Sequence, residues 1–419
     1  ETFYNSLVIC IYNYTKYAFL SIRGNYMNMN VDWEQRIDWA AVRKHRLQRV
    51  VDEIKANDLD AVAFTKLDTI RYAISFRSVF SLWFHGNRYI LIITRDEKVK
   101  FLVASGCYER VKTSMPWITD FVAFPFVMLH GVKIVQDAFK QLGLLNAKVG
   151  LDMLPFNVFS EMQRTMPNVK FQDGTPVIDK ARRIKHPDEI KAIRLAAEIV
   201  DIGMETVMSM NKPGVTEMEI SAAASYAMNL AGSEETPYMP LVCSGDHGTI
   251  GYRFPTDKRL RNGELLYSDC GAAVLNGYQG DIARTTVVGG KATNEQKKIY
   301  RCMVDMLLTG QNSVRAGVST AEIAQACQGA ADKVGLGQYT YLGIVGHGIG
   351  TDIHEAPSIG DKVGEGEAVE HLIENEVICL EPGILLPGIG GGHVENMILV
   401  KKNGCEPLTK TAFDDRLLE

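Results

Sequence analysis

Residues 267–290 read YSDCGAAVLNGYQGDIARTTVVGG and carry two aspartates, Asp269 and Asp281, twelve positions apart. Small and apolar residues alternate around both, and Asn276-Gly277 lies between them. Asn-Gly tolerates the positive φ of a tight turn, so the segment reads as a β-hairpin. Folding it back brings the two carboxylates together. Like charges on one sheet face repel unless something positive lies between them. Taken alone, the stretch also fits a surface hairpin with two solvated Asp residues, since Asp is common at turns and edges.

Working outward, the hairpin has a counterpart. Lys212–Ile220 (KPGVTEMEI) matches Arg315–Ile323 (RAGVSTAEI) at an offset of 103 residues. Each copy follows a long amphipathic helical pattern and opens another helix with a capping box, Thr216-x-x-Glu219 and Ser319-x-x-Glu322. Downstream of the second copy, residues 378–400 read ICLEPGILLPGIGGGHVENMILV, with Glu381 and Glu395 fourteen apart. Two capped helices can look alike by chance. The matched order of helix, capped helix and acidic hairpin argues instead for a duplicated half-domain. Two halves about a pseudo-dyad place four carboxylates at one centre.

The rest of the chain sets the frame. Its 419 residues are enough for two domains. A net charge of −5 with 23% charged residues gives no nucleic-acid footprint. Eight scattered cysteines without a C-x-x-C pair argue against zinc ribbons and thioredoxin chemistry, and fit buried thiols in a reducing cytoplasm. Residues 1–31 are Tyr- and Ile-rich, too interrupted for a spanning helix and without a basic signal-peptide start; they read as an extension outside the fold, with Met27 or Met29 a more natural beginning. Residues 32–176 alternate helical and strand patterns, which predicts a smaller α/β domain. A basic stretch ending in Pro, 177–187, reads as a linker, and 188–415 as the second domain, opened by a helix with Asp188 and Glu189 in its first turn.

Four carboxylates at one point stay ionised only with cations among them. The imidazole candidate is His347 in the Gly-rich run 345–350, with His354 seven residues on. Oxygen donors with one imidazole suit Mn, Fe, Co or Zn. No G-x-S-x-G elbow, P-loop, G-x-G-x-x-G or H-E-x-x-H is present. A two-metal site of this kind is hydrolytic: a water between two cations loses its proton and attacks a carbonyl carbon, one metal polarises the substrate oxygen, Glu381 shuttles the proton and His354 donates to the developing oxyanion.

SDCGA, NGYQGDIART, GHGIGTDIHEAP, LEPGI and GGHVENMILV, in this order, resemble the pita-bread family of methionine aminopeptidase, aminopeptidase P, prolidase and creatinase. The likeness covers roughly residues 32–410 and, through the N-terminal domain, points to the aminopeptidase P/prolidase/creatinase branch. It implies an α+β protein with a C-terminal pita-bread domain, two divalent metal ions (Mn, Co, Fe or Zn), and Asp269, Asp281, His347, Glu381 and Glu395 as ligands. It implies hydrolysis of short Xaa-Pro peptides through a metal-bridged hydroxide by a cytoplasmic homodimer, with neither membrane nor nucleic-acid partners. Creatinase has lost these ligands; this chain resembles a metal-dependent member.

Three departures stand out. The substrate-contacting His eight residues after the Ser of S-G falls on Tyr252, with His247 out of register. The Arg two residues before the last Glu ligand is His393, a poorer clamp than a guanidinium. The Asp–Asp spacing is twelve rather than eleven, which predicts a bulge in the hairpin. A dimethylsulfoniopropionate lyase of this fold shares a stretched hairpin. A creatinase-like hydrolase or such a lyase, acting on a small non-peptide molecule, is therefore the alternative enzyme reading. A non-catalytic binding protein is the alternative from another class. Finally, residues 67–93 resemble the segment of creatinase-type proteins that reaches into the partner's site, with Phe84, His85 and Arg88 as candidates.

Overall fold

The computed structural model of the chain describes residues 37–77, 88–234, 236–249, 253–274, 277–340, 344–360 and 369–419. The extension 1–31 lies outside them. Two compact units form, Asp38–His186 and Pro187–Glu419.

The first unit is built on strands β1 (Ala61–Phe64), β2 (Ile90–Thr94), β3 (Val99–Ala104), β4 (Phe121–Phe124), β5 (Lys148–Leu151) and β6 (Lys170–Asp173), in the order β4-β3-β2-β1-β5-β6. Its helices are α1 (Trp39–Ala56), α2 (Leu67–Ile74), α3 (Tyr108–Ser114), α4 (Val132–Gln141), α5 (Phe156–Thr165) and α6 (Thr175–Ala181). Strand alternation sends Leu91 and Ile93 into one apolar layer with Val50 and Ile54 of α1. Ile90 and Ile92 enter the opposite layer with Val135 and Phe139 of α4. The stretch expected as a linker from Val177 begins inside α6. Val177, Ile178 and Ala181 are buried in the α1 layer, because the apolar side of this short helix outweighs its basic one. Helix α2 occupies residues that the sequence left without a helix. Phe76 just beyond it is core, edge-on to Tyr89 and Phe101. Phe80, Trp83, Phe84 and His85 lie outside the described residues.

The second unit carries helices α7 (Pro187–Met210), α8 (Glu217–Leu230), α9 (Asn294–Ser313), α10 (Thr320–Lys333) and α11 (Asp415–Leu418). Its strands are β7 (Leu241–Ser244), β8 (Leu265–Val274), β9 (Tyr278–Val287), β10 (Ile344–Gly348), β11 (Glu355–Gly360), β12 (Val377–Leu380), β13 (Gly383–Leu386), β14 (Gly390–His393), β15 (Asn396–Lys401) and β16 (Gly404–Pro407). Both expected capping boxes are formed: Glu219 N donates to Thr216 Oγ1 at 3.1 Å, and Glu322 N to Ser319 Oγ at 3.2 Å. A third, Thr293 with Gln296, opens α9. The strands make sheets β7-β8-β9 and β11-β10-β12-β15-β16 and the ribbon β13-β14. Helix α7 packs along β8 and β9. Met303 and Leu307 of α9, with Ile323 and Cys327 of α10, pack on Ile378, Leu380, Ile398 and Val400 of the five-stranded sheet. Among the described residues no helix is long and apolar enough to cross a membrane.

The expected hairpin bulge is absent. β8 and β9 pair without interruption from Leu265↔Val287 to Val274↔Tyr278, with Asp269 opposite Ala283 and Asp281 opposite Gly271. In an unbroken antiparallel pair, side chains facing each other share a face, and so do those two residues along. The two aspartates are thus diagonal neighbours on one face. An even spacing of twelve meets that condition without a bulge in the paired residues, and Gly277 beside them lies at φ +81°.

Candidate metal centre

Each acidic pair is placed by a register. On the first hairpin it is the diagonal just described. On the second, Gly383 pairs with His393, and the same register carried two residues further sets Glu381 opposite Glu395. A backbone bond ties the halves together, Glu395 N donating to Ala283 O at 3.0 Å, and within the second half Glu381 N donates to Val345 O at 2.8 Å. The buried Arg284 guanidinium braces the seam, donating to Glu395 O at 2.5 Å and to Thr411 O at 2.6 Å.

The result is one buried cluster. His347 Nε2 lies 3.9 Å from Asp281 Oδ2 and 3.5 Å from Glu381 Oε1. His393 Nε2 lies 3.5 Å from Asp269 Oδ2 and 3.9 Å from Glu381 Oε2. The exposed His354 ring sits 4.0 Å, centroid to centroid, from that of His347. Asp269, Asp281, His347, His354, Glu381, His393 and Glu395, expected from the sequence, are therefore brought to one place. Tyr252 lies outside the described residues. His247 is engaged elsewhere, its Nδ1 3.1 Å from the buried Glu217 carboxylate. Arg88 belongs to the first unit, where its guanidinium lies over the Phe126 ring and Nη1 donates to Phe126 O at 3.2 Å.

Three residues escaped the sequence reading. Tyr238 Oη reaches Asp269 Oδ1 at 2.5 Å and also bonds Asp281 Oδ1. Tyr267 Oη donates to Asp269 Oδ2 at 3.2 Å. The Cys379 thiol joins Asp281, His347 and Glu395. Tyr267 and Cys379 were detectable, since each lies two residues before an acidic member on the same strand face. Tyr238 sits in an irregular loop that no periodicity flags. Gly271 makes room for it: a Cβ there would lie 2.7 Å from the Tyr238 ring.

The electrostatics are those of crowded acids. Burial, then the charge of Asp269, holds Asp281 well above the usual carboxylate range. Burial and the other three carboxylates do the same to Glu395. Glu381 is pushed up to about 7, mainly by burial, and His347 down to about 4 by burial and His354. Asp269 goes the other way: burial raises it, but the bonds from His393 and Tyr238 outweigh that. A tyrosine hydroxyl has one proton and cannot donate to two carboxylates at once. Protons alone balance this cluster poorly. Glu395 Oε1 is buried without a hydrogen-bond partner among the described residues. Oxygen-rich donors, an imidazole and an unsatisfied buried carboxylate oxygen fit divalent cations.

Close approach of β10 and β12 underlies the geometry. A Cβ at Gly346 would lie 2.2 Å from the Cys379 carbonyl oxygen. Gly346→Ala should therefore destabilise the protein by about 1–3 kcal/mol, read from the midpoint of urea unfolding. An unshifted midpoint would mean that the two strands can part freely.

Comparison with known proteins agrees with this geometry. Residues 191–402 match the model of metallopeptidase family M24, and residues 46–184 that of the creatinase/prolidase N-terminal domain. An Xaa-Pro dipeptidase of Pyrococcus horikoshii is 29% identical over 370 residues, 88% of this chain and 98% of the relative. One from Pyrococcus furiosus is 29% identical over 368 residues, with the same coverage. Among solved structures, an Xaa-Pro dipeptidase from Bacillus anthracis superimposes with a TM-score of 0.77 at 26% identity, covering 89% of this chain and 99% of that one. The chain belongs to metallopeptidase family M24, as a metallohydrolase of the aminopeptidase P/prolidase branch with a creatinase-type N-terminal domain.

Proposed function

We propose that this centre holds two divalent metal ions and hydrolyses short Xaa-Pro peptides. The observation that carries the reading is the convergence of four carboxylates from two acidic hairpins, with His347 from β10, into one buried cluster. Asp269, Asp281, His347, Glu381 and Glu395 would hold the ions. When bound, the ions supply Lewis acidity and an activated water. The side chains do the rest. Tyr238 fixes the two aspartates, and His393 holds Asp269 and Glu381 in place. Glu381 accepts and returns the proton, and exposed His354 donates to the substrate oxygen. Tyr252 is a substrate contact in the same reading, Arg88 reaches the active site of the partner subunit, and the enzyme is a cytoplasmic homodimer.

Metal-loaded protein should release proline from Ala-Pro or an amino-terminal Ala from Ala-Pro-Ala. Turnover of neither, with metal bound, would move the assignment to a small non-peptide substrate such as creatine or dimethylsulfoniopropionate. His393 favours that second reading: it replaces the carboxylate-binding guanidinium of the peptidases with a buried imidazole.

A further inference from the structure

We propose that Cys379 is a sulfur donor to one of the two metal positions, the one bounded by Asp281, His347 and Glu395. The proposal rests on reading the cluster as a metal centre and adds a chemical inequality between its two positions.

Donor atoms of Asp281, His347, Cys379 and Glu395 all lie within 4.8 Å of one another, and all four residues are buried. The backbone commits the thiol to this place. Cys379 is directly opposite His347 across β10 and β12, and opposite Met397 across β12 and β15. Cross-strand partners share a face. Its neighbours Ile378 and Leu380 enter the core on the other face, so the sulfur faces the acids. Independently, Glu395 is 1% exposed and its Oε1 has no hydrogen-bond partner among the described residues. The Cys379 thiol bonds to this carboxylate, and the partnerless Oε1 calls for a cation or a water beside it. A second group, Asp269, His393 and Glu395, shares Glu395 with the first and contains no sulfur. Only the position beside His347 thus has a sulfur within reach; the position beside Asp269 has none. Thiolate ligands favour Zn²⁺ and Co²⁺ over Mn²⁺. As the metal–sulfur bond forms, the S–H bond breaks and its proton leaves to solvent; nothing is oxidised.

The test uses the full-length protein stripped of metal and titrated with cobalt(II) chloride. The expected result is a sulfur-to-cobalt charge-transfer absorption in the near ultraviolet, lost in Cys379→Ser and retained in Cys270→Ser. Cys270 adjoins Asp269 but alternates to the opposite face of β8. The preference for Zn²⁺ over Mn²⁺, measured by competition, should fall about tenfold in Cys379→Ser. Should that variant not fold, zinc-edge X-ray absorption on the wild type decides, with one sulfur scatterer expected at about 2.3 Å. Cobalt uptake without the band, or a zinc shell without sulfur, overturns the role of Cys379 and leaves the metal centre standing. Failure to take up cobalt or zinc at all overturns both.

Discussion

Glu381→Gln is expected to lower kcat on Ala-Pro about 10²–10⁴-fold while changing KM little. Glutamine keeps the shape of glutamate but cannot accept a proton. Glu381 sits where a proton carrier is needed: only partly buried, and 3.5 Å from His347. Its carboxylate lies beside the exposed His354 at the accessible side of the cluster, whereas Glu395 is enclosed. Steady-state kinetics on the variant, with bound metal measured in the same samples, separate loss of a proton carrier from loss of a ligand. Unchanged kcat at full metal content would remove Glu381 from the proton path.

Metal removal should have an equally large effect, on stability. In the metal-free cluster Asp281 and Glu395 are held well above the ordinary carboxylate range, and Glu381 at about 7. The folded state then binds more protons than the unfolded chain between the carboxylate range and neutrality. Stability is present at low pH and is lost as pH rises through the folded values. His393, raised by Asp269 and Glu381 against its burial, acts in the same direction. His347, lowered to about 4, and Asp269, lowered against its burial by His393 and Tyr238, oppose it as two groups against four, and Asp269 acts only at and below the ordinary carboxylate range. Chelated protein should therefore melt at progressively lower temperature from about pH 5 to about pH 7. Cations stabilise the ionised carboxylates, so metal-loaded protein should lose that slope. It should also gain about 4 kcal/mol at a thousandfold excess of metal over its Kd. Calorimetric scans across pH with and without chelator measure both. Coincident curves would mean that no cation occupies the cluster.

Much of this centre is legible in the chain because strand periodicity and duplication are local signals. Asp269 and Asp281 flank a turn that Asn276-Gly277 announces, and Glu381 and Glu395 repeat the arrangement after a repeated capping box. The bulge was a misreading of spacing: the parity of an unbroken register, fixed only once β8 and β9 pair, already puts both aspartates on one face. The stretch from Val177 looked like a linker because its charges are conspicuous in sequence. Its burial depends on α1, more than a hundred residues earlier, lying alongside.

The sequence by itself placed the acidic residues in two hairpin-like pairs, through nearest-neighbour periodicity and turn chemistry, and its resemblance to the family carried the expectation of a hydrolytic metal centre. Only the tertiary structure decided which side chains surround the acids. Tyr238 reaches both aspartates from an irregular loop, His393 turns inward onto Asp269 and Glu381, and Cys379 faces His347 across two strands that close up at Gly346. Such contacts depend on inter-strand register and on the close approach of distant backbones, and neither is encoded within any single stretch of the chain.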